Sequence, residues 1–121
     1  MNVTLLRGRL SRAPQPRELP SGDQVVDYEV TVANPDERAE SVNVVWHDPP
    51  AAAHALDAGD EVVVVGRVRR RFFRAAGALQ SRTEVVADAV VNARQAKRAR
   101  QAFDRALARA AEQYDRVPVD A

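Results

Sequence analysis

The chain has 121 residues, no cysteine, 29% charged residues and a formal net charge of only +1, which is one domain with material for a single core. Without cysteine there are no disulfides and no thiolate metal sites, and no apolar run approaches the roughly 18 residues that a membrane helix needs. MNVTLLRGRL at the N-terminus lacks the long apolar segment of a signal peptide, so a soluble cytoplasmic protein is expected.

Residues 2–10, NVTLLRGRL, predict a strand in which Gly8 marks a bulge or sharp bend. PQPRELPSGD, residues 14–23, has three prolines and a Ser-Gly pair and predicts a loop. In QVVDYEVTVA, residues 24–33, the side chains of Val26, Tyr28, Val30 and Val32 alternate with polar ones, the period of a half-buried strand. NPDERAE predicts a hairpin connection and SVNVVW a short strand. DPPAAAHALDAG, residues 48–59, predicts one or two helical turns, with Asp48 as cap and Gly59 past the end. DEVVVVGRVRRRFF predicts a long strand, RAAGAL a turn at Gly77, and QSRTEVVADAVV a returning strand.

From Asn92 onward there is no Gly or Pro before Pro118, and alanine and arginine dominate, which predicts a helix over 93–115. Ala96, Ala99, Phe103, Ala106, Ala110 and Tyr114 form a thin apolar stripe. VPVDA is expected to be a frayed tail. The domain division is thus a barrel over 1–92 and a basic helix with tail over 93–121. Five strands, with a short helix between the third and fourth and a long helix at the end, make a mainly β protein. That is the order of an OB-fold, a five-stranded Greek-key barrel.

Charge is unevenly spread. From Asp23 to Glu61 there are ten acids and one base, Arg38; from Val62 to Thr83 there are six arginines and no acid. At period 2, Arg67, Arg69, Arg71 and Phe73 share one face of the long strand, and Arg70 and Phe72 take the other. A solvated hairpin tip, with the rings packed on a neighbour, is one reading. Six arginines without an acid repel one another, however, so an anionic partner is the other reading. Cations that track a phosphate chain, beside rings on which bases stack, are what single-stranded nucleic acid requires. Arg7 and Arg9 on the first strand, Arg12 and Arg17 after it, and Arg74 and Arg82 in the last hairpin extend this footprint. Phe73 is expected to serve binding and Phe72 stability.

Catalysis is not expected. His47 beside Asp48 is the sole acid–base candidate, and neighbours at a strand end point opposite ways. No Gly-rich phosphate loop, metal-ligand spacing or cofactor motif is visible, and no small-molecule substrate is implied.

NVTLLRGRLSRAP, LPSGDQVVDYEVTVA, AGDEVVVVGRVRRRFF and TEVVADAVV, in that order, resemble the bacterial single-stranded DNA-binding protein family over residues 2–91. The resemblance implies an OB-fold homo-oligomer, a tetramer favoured over a dimer, that wraps single-stranded DNA during replication, recombination or repair and is associated with the nucleoid. It implies that Phe73 stands where the family places a stacking tryptophan, and that Arg69 and Arg71 take that motif's arginine positions. Trp46 falls close to another stacking aromatic of the family, a core or rim position being the equal alternative; Tyr28 aligns with a core position. A second stacking tryptophan falls near Ala39, the 34–40 connection is short, and the chain ends RVPVDA rather than in an acidic tip. Weaker, more arginine-dependent binding than is usual in the family is the expectation. A protein–protein or primosome-type OB module with weak nucleic-acid binding is the alternative.

Overall fold

The computed structural model describes residues 1–116; the tail expected at VPVDA lies outside them. Six strands form one sheet: β1 (Thr4–Leu10), β2 (Gln15–Glu18), β3 (Gln24–Val32), β4 (Glu40–His47), β5 (Glu61–Ala75) and β6 (Ala78–Asn92). A single 3-10 turn at Ala51–His54 joins β4 to β5, and helix α1 (Ala96–Asp115) follows β6. The sheet order is β1-β5-β6-β4-β3-β2, and a further β1–β3 pairing closes five strands into a barrel. β4 and β6 run parallel where they meet, at Val44–Val85 and Val45–Val86. This is the OB-fold barrel that the strand pattern predicted.

β2 was not expected. Its strand pairs with the first half of β3, Gln15–Asp27 through Glu18–Gln24, while β1 pairs with the second half at Thr31 and Val30. Pro16 is compatible with a strand here because β2 is at the sheet edge, where a missing N–H breaks no ladder. The loop signal is confined to Leu19–Asp23, a turn closed by Leu19 N–H to the Asp23 carbonyl at 2.8 Å.

The barrel core contains Leu10, Val26, Tyr28, Val30, Val44, Val62, Val64, Val85, Ala87 and Val90. These are the alternate residues of each strand, as period 2 requires. On β6 the parity changes at Asp88: Val65 opposes Ala89 and Gly66 opposes Ala87, which leaves Asp88 as the extra residue of a bulge. A Cβ on Gly66 would come within 2.1 Å of the Val86 carbonyl oxygen, so the bulge requires glycine there. Gly8 is constrained in the same way by the Thr31 carbonyl oxygen, 2.4 Å from a Cβ built on it, where β1 closes on β3. Tyr28 is a core residue, 1% exposed, and its hydroxyl donates to the Ala53 carbonyl at 3.1 Å. Burial raises its pKa well above the usual tyrosine range.

Asp48 does not cap the short turn. Its N–H is engaged by the Gln24 carbonyl at 2.9 Å, and the cap position falls to Pro50, without a side-chain bond. Two consecutive prolines delay the turn and shorten it to one.

Helix α1 starts at Ala96 rather than residue 93, after a turn in which the Asn92 side chain accepts the Arg94 N–H at 2.9 Å. Its buried row is Ala99, Ala102 and Ala106. Ala102 and Ala106 pack on Val65, with Val3 and Val91 beside them, on the outside of the barrel. Ala96 and Tyr114 of the expected stripe are exposed, because at 3.6 residues per turn both lie about a quarter-turn around the helix from the centre of the Ala99, Ala102 and Ala106 row. The bulge residue Asp88 accepts a 2.6 Å bond from Arg109 and so pins the helix to the sheet.

Candidate nucleic-acid interface

Beyond Val68 and its partner Val85, which still belongs to the core and pairs with β4, the long β5–β6 hairpin leaves the barrel. Its register carries Arg69 to Glu84, Arg71 to Arg82 and Phe73 to Gln80. Directly opposed residues share a face, so Arg67, Arg69, Arg71 and Phe73 gather with Arg82 and Glu84 on the outside of the sheet. β3 and β4 bring Asp27 and Asn43 to the same surface, and β2 brings Gln15 and Arg17. Together they line a shallow trough of about 270 Å³ with Arg12, Arg71, Arg82 and Glu84.

Glu84 is the residue that reading the sequence missed, because it stands one position past the acid-free stretch. It is 2% exposed. Arg69 donates to it through Nη2 at 2.7 Å, and Arg71 Nε approaches its other oxygen at 3.9 Å. The arginine side chains themselves are about 40% exposed (40% and 38%). Glu84 thus relieves their mutual repulsion and holds both guanidiniums against the sheet. The Nε atoms of Arg69 and Arg71 are buried without a hydrogen-bond partner, each a cost on the order of 1–3 kcal/mol. Arg17 grips Asp27 with a two-pronged contact of 2.8 and 3.1 Å, and this bond raises the pKa of its guanidinium further.

The Phe73 ring is half-buried. The Arg71 guanidinium lies 5.5 Å from its centroid and that of Arg82 5.8 Å, both within cation–π range. Phe72 is on the other face of the hairpin and is 62% exposed. The expected role of Phe72 in stability is therefore corrected: past the barrel, the inner face of β5 has no layer to pack against. Arg74 is exposed on that same side, opposite Leu79.

The other candidates are not brought to the trough. Arg7 and Arg9 point outward from β1, opposite Val63 and Glu61. From Val63 to Arg71 is about 26 Å of strand. Both pair with Glu61, Arg7 by a direct hydrogen bond and Arg9 at 3.8 Å. The bond from Arg7 holds the Glu61 carboxyl below the usual range. Trp46 is on the core-facing side of β4, half-buried against the barrel core, and opens onto a different cleft, between the 3-10 turn and α1. The rim alternative describes its position. His47 is exposed, and no group of three or more His, Asp or Glu able to hold a metal occurs among the described residues.

An OB barrel with a cationic outer face capped by an aromatic ring has the build of a module for single-stranded nucleic acid. The chain belongs to the single-strand binding protein family, whose model matches residues 1–93. It is also similar to a single-stranded DNA-binding protein of Oceanobacillus iheyensis, with 34% identity over 99 residues, covering 74% of this chain and 62% of that protein. The chain therefore spans less than two thirds of the length of this relative. No helix among the described residues is long and apolar enough to cross a membrane.

Proposed function

We propose that this chain binds single-stranded DNA without sequence specificity and protects it during replication, recombination or repair. The observation that carries this reading is the trough, where the guanidiniums of Arg12, Arg17, Arg71 and Arg82 stand with the carboxylates of Asp27 and Glu84, next to Arg69, which holds Glu84, and the Phe73 ring. Phosphates pair with the guanidiniums, and a base stacks on Phe73, a contact worth on the order of 1–3 kcal/mol. A stack on a ring face is indifferent to base identity, so no sequence preference follows. The orphaned Nε groups of Arg69 and Arg71 favour this reading, since both side chains gain donors' partners if they swing out to phosphate.

Arg74 contributes from the far side of the hairpin tip. Arg7 and Arg9 form a separate outlying cationic strip on β1. The barrel of residues 1–92 carries the binding, and the protein acts as a homo-oligomer, a tetramer or a dimer, in the bacterial cytoplasm at the nucleoid. It has no catalytic role.

Titration with oligothymidylate and with a duplex of equal length, at several salt concentrations, tests the proposal. The expected result is a preference for the single strand, with log affinity falling against log salt by about 0.7 for each phosphate neutralised. No binding to oligothymidylate in dilute buffer, together with a discrete protein complex in pulldown, overturns it in favour of a protein–protein module.

A further inference from the structure

Helix α1 lies beyond the residues that the family model matches. Its arginines fall into two sets. Arg100 and Arg109, with Arg116 at the C-cap, each hold a carboxylate, Asp104 at 3.0 Å, Asp88 at 2.6 Å and Glu112 at 2.5 Å. Arg98 and Arg105 have no carboxylate within 4.0 Å among the described residues; Arg98 meets only the Gln95 amide oxygen, at 3.1 Å. Seven residues apart, these two fall on one side of the helix.

That side borders a cleft of about 370 Å³ between α1, the end of β6 and the 3-10 turn. Trp46 lines it, with Leu56 and Pro50 as apolar wall and Asn92 and Gln101 as amide donors and acceptors. An aromatic ring, two uncompensated guanidiniums and side-chain amides repeat the chemistry of the trough. The cleft is also within reach of it: from Glu84, which lines the trough, to Val90, which lines the cleft, is about 20 Å along β6.

We propose that α1 supplies a second single-stranded DNA contact, in which Arg98 and Arg105 hold phosphates of a strand that has left the trough and passes Trp46. This rests on the single-strand binding proposed above. It makes the helix part of the nucleic-acid path, rather than only a cover for Val65 and Val91.

Trp46 is the chain's single tryptophan, so its fluorescence reports on this cleft alone. The test compares the full chain with an Arg98→Ala/Arg105→Ala variant, using oligothymidylates of about 8 and about 30 nucleotides, the first within and the second beyond the roughly 4–16 that one barrel spans. Both side chains are exposed, and circular dichroism checks that the variant is folded. The longer oligomer is expected to quench Trp46 in the unaltered chain. In the variant its affinity falls about tenfold, its salt slope becomes shallower by about 1.4, and the quench is reduced, while the shorter oligomer binds as before. Equal affinity, slope and quench in the two proteins overturn the proposal while leaving the trough intact. Quenching of Trp46 by oligoglutamate but not by oligothymidylate overturns it in favour of an acidic peptide. If the unaltered chain binds neither oligomer, both readings fail together.

Discussion

Phe73 and Phe72 are neighbours with opposite surroundings. Phe73 has two guanidiniums against its ring; Phe72 stands in solvent. Phe73→Ala is expected to weaken oligothymidylate binding by about 1–3 kcal/mol. Phe72→Ala should change the melting temperature and the affinity little, and a larger loss of affinity from Phe72→Ala than from Phe73→Ala would place the DNA on the other side of the hairpin. Glu84 acts in the reverse sense. Glu84→Gln removes a buried negative charge from beneath the trough, so binding should tighten and its salt slope steepen, while urea denaturation shows a stability lower by about 1–3 kcal/mol. Tyr28 carries the pH prediction. Its pKa is raised in the folded state by burial, and in the unfolded chain it ionises near 10. Above about pH 10 the unfolded state therefore loses a proton that the folded state keeps, and stability falls as pH rises. Tyr28→Phe should flatten that alkaline decline, at the cost of about 1 kcal/mol at neutral pH for the lost bond to Ala53. Stability curves of the two proteins between pH 8 and pH 11 that decline in parallel would remove Tyr28 as the cause.

Among the elements, the β5–β6 hairpin and α1 do the positioning. The long valine run makes the first half of β5 apolar on both faces, and both faces are covered, one by the barrel core and the other by α1. The arginine-rich second half leaves the barrel, and only there do its faces separate into trough and solvent. α1 docks through alanines, which let the helix backbone come close to the sheet but bury little apolar area each. Ala106 is 3% exposed against Val65. Ala106→Glu should therefore detach the helix: far-UV circular dichroism loses helical signal, while the shorter oligothymidylate still binds, as expected if the barrel of residues 1–92 carries the trough. Unchanged helicity in that variant would mean that α1 is held by Arg109 and Asp88 more than by its alanines.

In the whole molecule, a nearly neutral chain presents locally concentrated charge, and steering depends on the local field rather than the total. The chain also leaves Leu5, Leu107 and Tyr114 exposed, at 39%, 53% and 69%. The proposed self-association into a dimer or tetramer would cover such residues, and the mass in solution should then be a multiple of the 13.3 kDa chain. A mass of one chain at micromolar concentration would contradict the proposed oligomer.

Strand periodicity determined most of this architecture in advance: Val26, Tyr28 and Val30 inward, Arg69, Arg71 and Phe73 on one face, the hairpin at Gly77 and a helix after Asn92. Those features depend on neighbours a few residues apart, so they can be read locally. β2, the bulge at Asp88, the Glu84 counter-ion and the separation of Trp46, Arg7 and Arg9 from the trough could not be read that way. Each depends on which strand lies beside which: Pro16 joins a sheet only because its strand falls at an edge, and Glu84 meets Arg69 only through the register of a hairpin of two fifteen-residue strands. Residue type and spacing announced cations and rings; long-range pairing alone decided which of them share a surface.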